Sequence, residues 1–309
     1  MVFGESKLKD LYRRVIWGPY RQVLEVGPPA WEYRANRRLG QLAGQLAAGK
    51  RREVVENLRR AFPDRQDLDA IAVEAFATHF LNQYASFAFA KITRENWSSY
   101  LRIEGMEHLE AARAAGQGVV LLHPHMGPAQ LPLCVLGVLG WPVHQIGGGE
   151  TAVEKSETGR WASAERARLE ARMPVKLQDG SGYLRVVLRA LEAGEVVLTA
   201  CDGTGGGQEL GRRYERPVLG QRMRLPVGGF YLAKRSGARL HPLVTVCDPQ
   251  DPRRHLSMIG PQILLGRGGL KQVLEDGADC TARLLDDLLR RYPGQWLFWD
   301  AFKPGELLC

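Results

Sequence analysis

The apolar run at residues 119–122 is the sequence feature that most constrains the fold. Val119, Val120, Leu121 and Leu122 show no polar alternation, which predicts a strand buried on both faces. Such a strand needs helices on each side of its sheet. Apolar runs do alternate with helical patterns as far as residue 299. The sequence therefore predicts an α/β fold, with a central and mostly parallel sheet flanked by helices.

The predicted elements divide the chain into a helical segment, residues 1–95, and an α/β core, residues 96–309. Helices are predicted at 36–61, 67–92, 106–115, 128–139, 157–172, 181–193, 226–236 and 270–291. Strands are predicted at 100–103, 119–122, 143–146, 175–177, 196–200, 240–247 and 296–299. Residues 147–160 and 203–225 are predicted to be mobile or functional loops. We expect the core to form one structural unit.

The charge balance restricts the partners. The formal net charge is +8 and the pI is about 9.4, which suits anionic surfaces such as phospholipid headgroups or nucleic acid. Composition alone does not separate these two, but no nucleic-acid-binding motif is present. The five cysteines are scattered and never in CxxC spacing, which argues against a disulfide framework and a structural zinc site.

The N-terminal segment mixes aromatic and basic residues. Trp17, Tyr20, Trp31 and Tyr33 lie among arginines, a composition that favours contact with a membrane interface. The alternative is an amphipathic helix packed on the core. No run of about 18 apolar residues occurs, so no transmembrane helix is predicted.

Two histidines, His123 and His125, directly follow the 119–122 strand and precede a predicted helix. The carboxyl ends of strands are where α/β sheets bind ligands, and histidine suits proton transfer near neutral pH. One of them could therefore deprotonate a hydroxyl that attacks a thioester carbonyl. Two alternatives stay open: loop histidines bonded to the backbone, or a His-x-His metal site with Asp202 as an added ligand.

Three stretches in order resemble a known family. Residues 57–63 resemble an "NLRxAFP" signature, and residues 198–238 resemble a block that runs from "ADQD" to "LARRTGAPVVPV". Residues 293–299 resemble a closing "PEQWLWxH" strand. The family is that of the lipid A late acyltransferases and the related phosphatidylinositol mannoside acyltransferases, within the wider glycerolipid acyltransferase fold.

The resemblance implies transfer of a fatty acyl group from acyl carrier protein or coenzyme A to a hydroxyl of a membrane glycolipid. It aligns His125 with the histidine of an H-x4-D/E motif, but Gln130 stands in the carboxylate position. The first acid of the "DQD" triplet aligns with Ala200, which leaves Asp202, and residues 300–302 replace "HRR". Two hypotheses follow: an active enzyme in which Gln130 orients His125, or a catalytically impaired homologue that binds lipid or carrier protein.

By this resemblance the catalytic residues are His125, Gln130 and Asp202. Residues assigned to substrate binding are His123, Gly127, Arg166 and Arg224, although Arg166 also fits a solvated helix face. No metal or cofactor is expected beyond the acyl thioester.

The expected partners are an acyl thioester donor, a lipid or glycolipid acceptor and an anionic membrane surface. The expected location is the cytoplasmic face of the inner membrane, with peripheral attachment. The acceptor stays open among a lipid A precursor, another glycolipid, a lysophospholipid and a specialised metabolite.

Overall fold

The structure is a computed structural model that describes residues 6–28, 31–147, 156–179, 184–203, 211–251 and 253–309. A seven-stranded sheet lies at its centre, in the order β1-β9-β8-β2-β5-β3-β4, and β6 and β7 form a separate antiparallel hairpin. The strands are β1 Leu101–Glu104, β2 Val119–His123, β3 Val143–Gly147, β4 Lys176–Asp179, β5 Val196–Ala200, β6 Arg213–Val218, β7 Gln221–Pro226, β8 Arg239–Cys247 and β9 His255–Ile259.

All neighbours in the large sheet pair in parallel except β8 and β9. The strand β2 is buried along its whole length and lies between β5 and β8, as its unbroken apolar run predicts. The expectation of a mostly parallel sheet flanked by helices is confirmed.

Twelve α-helices are found in the described part of the chain. They are α1 Lys7–Val15, α2 Arg21–Val26, α3 Trp31–Leu46, α4 Ala48–Ala61, α5 Leu68–Gln83, α6 Ser86–Phe89, α7 Met106–Ala114, α8 Leu131–Val138, α9 Glu157–Glu170, α10 Leu184–Glu192, α11 Gly228–Ser236 and α12 Leu270–Arg291. A kinked π-helical turn containing Pro19 joins α1 to α2, since proline cannot continue regular helix bonding.

The N-terminal helices share a hydrophobic core with the sheet. One buried cluster contains Leu58 of α4, Phe76 of α5, Val120 of β2 and Trp299 near the C-terminus. Thus α4 and α5 cover one face of the sheet, and their packing fixes the segment that contains Trp299.

Some elements differ from the sequence predictions. The predicted helix 36–61 is two helices that meet at Ala47, and 67–92 ends its main helix at Gln83. The predicted strand at 296–299 is absent from the described structure. A 3₁₀ turn, Pro293–Gln295, is followed there by further turns. An isolated β-bridge pairs Trp296 with Met126.

The stretch 203–225, predicted as a loop, contains the β6–β7 hairpin, and β9 was not predicted at all. In the other predicted loop, 147–160, the start of α9 is present. The remaining parts of both stretches, residues 148–155 and 204–210, lie outside the described residues.

The aromatic residues of the N-terminal segment differ in how deeply they are buried. Trp17 is buried against Tyr84 and Phe87, and Tyr33 is buried against His255. Trp31 is 46% exposed. For Trp17 and Tyr33 the structure therefore favours the alternative of packing on the core. None of the described helices is long and apolar enough to cross a bilayer.

Candidate active site

The register of β2 with β5 brings two predicted site residues together. His123 and Ala200 are paired at the carboxyl ends of these parallel strands, and the N–H of Cys201 donates to the His123 carbonyl at 2.9 Å. The backbone continues for two residues beyond each of these strand ends, which places His125 beside Asp202. The pair lies at the strand ends, where α/β sheets bind ligands.

The Asp202 carboxylate accepts hydrogen bonds on both oxygens. Its Oδ1 lies 2.6 Å from Nδ1 of His125, and the His125 amide N–H donates to Oδ1 at 3.1 Å and to Oδ2 at 2.9 Å. The indole Nε1–H of Trp296 donates to Oδ2 at 2.7 Å. The Asp202 side chain is 0% exposed, whereas the imidazole is 31% exposed. The imidazole is therefore held by the buried Asp202 on its Nδ1 side, and its exposed side can contact a ligand.

These contacts set the ionisation of the Asp202 carboxyl and the tautomer of the His125 imidazole. Burial alone would raise the pKa of the Asp202 carboxyl, but the nearby His125 and the hydrogen bonds from His125 and Trp296 outweigh burial and lower that pKa. An ionised carboxylate only accepts hydrogen bonds, so Nδ1 carries a proton. In that tautomer Nε2 is the nitrogen with the lone pair, which is the arrangement a general base requires.

The second histidine, His123, lies in a more buried environment than His125. His123 is buried, and its Nδ1 lies 3.1 Å from the Pro124 carbonyl oxygen. Burial, with a smaller effect from His125, lowers the pKa of His123 to about 4. His123 is thus neutral near pH 7, and its ring stands 5.3 Å from the His125 ring, between centroids.

The C-terminal segment, residues 293–302, closes over the loop that carries His125. The Leu297 N–H donates to the His125 carbonyl, and the Gly127 N–H donates to the Gln295 carbonyl, both at 3.0 Å. The Phe298 ring lies 4.7 Å from the imidazole. This segment therefore fixes the backbone of the site and supplies an apolar wall.

Two predicted residues are placed differently from the expectation. The Gln130 amide donates to Oε1 of Gln145 at 3.4 Å, and the imidazole Nδ1 that Gln130 was expected to orient is held by Asp202. Gly127 adopts φ +54°, and a Cβ there would lie 2.7 Å from the Thr245 carbonyl oxygen. Its N–H donates to the Gln295 carbonyl and is not available to a substrate oxygen, and its assignment to substrate binding stays a prediction.

The two predicted arginines lie outside the His125–Asp202 hydrogen bonds. Arg166 donates to Oε1 of Glu170 at 2.6 Å and to Oε1 of Gln83 at 3.4 Å. Arg224 lies in β7, opposite Glu215 of β6, at 3.9 Å from the carboxylate. Their assignment to substrate binding stays a prediction.

Sequence reasoning missed the roles of Trp296, Phe298 and Arg213. Arg213 donates to the carbonyl of Gly203, the residue after Asp202, at 2.8 Å. The tryptophan stands within the closing motif quoted above, but its contact with Asp202 is non-local and gives no periodic signal. Within the described residues, no group of three or more His, Cys, Asp or Glu side chains is arranged to hold a metal ion.

A family model described as bacterial lipid A biosynthesis acyltransferase matches residues 20–299. The chain belongs to this family. That match confirms the resemblance noted in the sequence.

Individual relatives are more distant. The lipid A biosynthesis myristoyltransferase of Escherichia coli (strain K12) and the lipid A biosynthesis acyltransferase 1 of Shigella flexneri are each 28% identical over 131 residues. The match covers 40% of this chain and spans 41% of the length of each relative. A 1-acyl-sn-glycerophosphate acyltransferase from Thermotoga maritima aligns with a TM-score of 0.37 and 13% identity, over 91% of this chain and 98% of that one.

Proposed function

We propose that the protein transfers a fatty acyl group from an acyl thioester to a hydroxyl of a lipid or glycolipid, with His125 as the general base. The observation that carries this proposal is the 2.6 Å contact between Nδ1 of His125 and the buried Asp202 carboxylate. It supplies the acid that Gln130 and Ala200 lack. Family membership supports the reaction class.

The reaction is a proton transfer coupled to acyl substitution. Nε2 of His125 takes the acceptor hydroxyl proton as the oxygen attacks the thioester carbonyl carbon. The imidazolium that forms is stabilised by Asp202, as in hydrolase triads. When the tetrahedral intermediate collapses, the C–S bond breaks, and the imidazolium returns its proton to the leaving thiolate. The products are the ester and a free thiol.

The oxyanion of the intermediate needs positive charge nearby. Since the Gly127 N–H is bonded to Gln295, we assign this role to the first turn of α8, which begins at Leu131. The contribution assigned to it is the partial positive charge of a helix N-terminus, because the Leu131 N–H is bonded to the Pro128 carbonyl and Pro132 has no N–H.

The test of the proposal is acyl transfer by purified variants. His125→Ala and Asp202→Asn should each abolish or strongly reduce transfer, the second by up to about 10⁴-fold, as for a triad aspartate changed to an amide. His108→Ala, a variant on α7 at a histidine that stacks on His241 and has no part in the His125–Asp202 contacts, serves as the control. Assays with acyl carrier protein and coenzyme A thioesters in parallel identify the donor. Full activity of His125→Ala would reject the mechanism, whereas absence of transfer by the unmodified protein with both donors would favour the binding-only homologue.

Membrane attachment at the cytoplasmic face of the inner membrane is the second part of the proposal. Leu8, Leu11 and Val15 lie on one face of α1 and are all exposed, and α1 buries no residue. Exposed Lys7 and Arg14 flank this apolar face. An apolar stripe bordered by cations suits an anionic lipid interface.

Vesicle binding tests the attachment. Leu11→Glu places a charge on the apolar stripe, where Leu11 is 60% exposed, and should reduce co-sedimentation with phosphatidylglycerol vesicles. Leu264→Glu makes the same change at a leucine that is 82% exposed in a loop before α12. Equal loss of binding in both variants would argue against a role for α1.

A further inference from the structure

A cleft of about 550 Å³ opens where the start of α3 meets the residues that precede β1 and β9. Trp31, Arg34, Ser98, Asp251, Arg253 and Arg254 line it. None of these residues takes part in the His125–Asp202 pair. Three guanidinium groups, one carboxylate and an exposed indole thus face one volume.

The sheet register places this cleft at the same edge as His125. Arg254 directly precedes His255, which pairs with both Leu101 of β1 and Cys247 of β8. The neighbouring β8 residue Thr245 touches Gly127, two residues after His125. In the sheet order, β9 lies two strands and β1 three strands away from β2. Because neighbouring strands are about 4.8 Å apart, the cleft lies roughly 10–15 Å from the end of β2. A small ion bound there would not contact the imidazole.

Two arginines of the cleft are held in place. Arg253 binds the Asp251 carboxylate through Nε at 2.7 Å and Nη2 at 2.9 Å. The Nε of Arg254 donates to Oδ2 of the buried Asp248 at 3.1 Å. Each guanidinium keeps further N–H groups beyond those contacts, and the carboxylates fix where the groups point.

Arg34 supplies the uncompensated charge. It is exposed, and within the part of the chain that the structure describes it makes no hydrogen bond or ion pair. With three cations against Asp251, the lining carries a net charge of +2. Guanidinium groups bind phosphate through paired N–H donors.

Trp31 gives the cleft an apolar face in a fixed position. A Cβ at Gly27 would lie 2.4 Å from Cε3 of Trp31, so the indole rests directly on the Gly27 backbone. The ring nevertheless remains 46% exposed. A large ring that is fixed by packing and half exposed beside arginines can stack against the organic part of a ligand.

We propose that this cleft is a binding site for a phosphate-bearing ligand, with Arg34, Arg253 and Arg254 on the phosphate and Trp31 against the attached organic group. The site is separate from His125 and does not depend on the proposed acyl transfer. The phosphate could belong to a lipid headgroup or to a soluble phosphate compound, because both present the same oxygens.

Titration calorimetry with inorganic phosphate at low ionic strength tests the site in the intact chain of 309 residues. Arg34→Gln should weaken binding about tenfold or more, because it removes charge-assisted hydrogen bonds. Arg52→Gln is the matched control, since Arg52 is also an exposed helical arginine, on α4, and lies outside the cleft. His125→Ala should leave phosphate binding unchanged. The phosphate-dependent change in tryptophan fluorescence should disappear in Trp31→Phe.

The outcomes separate the sources of the phosphate. Displacement of inorganic phosphate by phosphatidylglycerol vesicles, but not by phosphatidylcholine vesicles, would assign the site to a lipid headgroup. Continued phosphate binding by vesicle-bound protein would assign it to a soluble compound. Absence of saturable binding in the unmodified protein, or equal weakening by Arg34→Gln and Arg52→Gln, would overturn the proposal.

Discussion

At the scale of single residues, the candidate site depends on where two neighbouring strands end. The sequence identified His125 and Asp202 from different motifs, one three residues beyond the 119–122 run and the other two residues beyond the 196–200 strand. The family resemblance placed both in one catalytic set, but the hydrogen bond between them was not predicted, because the register of β2 with β5 is a non-local property that appears only after folding. The linear spacing instead favoured Gln130, five residues after His125, whose amide contacts Gln145.

Trp296→Phe tests whether the indole N–H holds Asp202 in place. The change removes the 2.7 Å bond to Oδ2, and a hydrogen bond to a charged group is worth roughly 1.5–3 kcal/mol. We expect kcat to fall about tenfold or more with little change in KM. The pKa of Asp202 should rise, so the acid limb of the pH profile of kcat/KM should move upward.

Trp299→Phe is the matched control. This buried indole donates to the Pro293 carbonyl oxygen at 2.6 Å and does not touch Asp202. If both variants lose activity equally with the same pH profile, the effect arises from the packing of the aromatic cluster rather than from the carboxylate.

At the scale of secondary structure elements, regular patterns were predictable and irregular ones were not. The buried strand β2 and the amphipathic helix α12 lie where their periodicity indicated. The β6–β7 hairpin escaped prediction because its strands are rich in arginine and its turn is Leu219-Gly220. Leu219 has φ +51° and Gly220 φ +74°, a turn conformation normally signalled by Asn-Gly or Asp-Gly.

The strand predicted within segment 293–302 was wrong for another reason. Its Trp, Leu and Phe residues resemble a strand in composition, but its backbone is anchored by side chains from distant helices. Thr78 of α5 donates to the Gly294 carbonyl, and Asn57 of α4 to the Trp299 carbonyl, both at 2.8 Å. Tertiary contacts of this kind override local β-propensity.

Thr78→Val should show the strength of this anchoring. The variant keeps the shape of the side chain but removes the donor to Gly294, and loss of a partner in a buried hydrogen bond costs about 1–3 kcal/mol. We expect that decrease in the free energy of unfolding, measured by urea denaturation. In Thr281→Val the change should be neutral or stabilising, because the buried Thr281 hydroxyl has no hydrogen-bond partner within the described structure. A comparable loss in both variants would refute the anchoring role.

At the scale of the whole molecule, buried histidines couple stability to pH. Burial lowers the pKa of His255 to about 3 and, together with His125, that of His123 to about 4. In the unfolded chain a histidine has a pKa of about 6.5. As pH falls below 6.5 the unfolded state therefore binds protons that the folded state does not, and stability decreases until the folded-state pKa values are reached.

Each such histidine should contribute a slope of up to about 1.4 kcal/mol per pH unit between these pKa values. His255→Phe should remove one contribution, because phenylalanine does not titrate and keeps a ring against Tyr33. Urea denaturation between pH 6.5 and 5 measures the slope. An unchanged slope in the variant would show that His255 is not the titrating group.

The anchoring of residues 293–302 also has a consequence for synthesis. The hydrogen bond between Asn57 and Trp299 joins residues 242 positions apart, and Trp296 reaches Asp202 across 94 positions. A ribosome makes the helices α4 and α5 first, then the histidine, then the aspartate, and the indole later still. A nascent chain thus holds an unsupported His125 and Asp202 until this segment emerges. The proposed acyl transfer should therefore begin only after residues 293–302 have been translated and have folded.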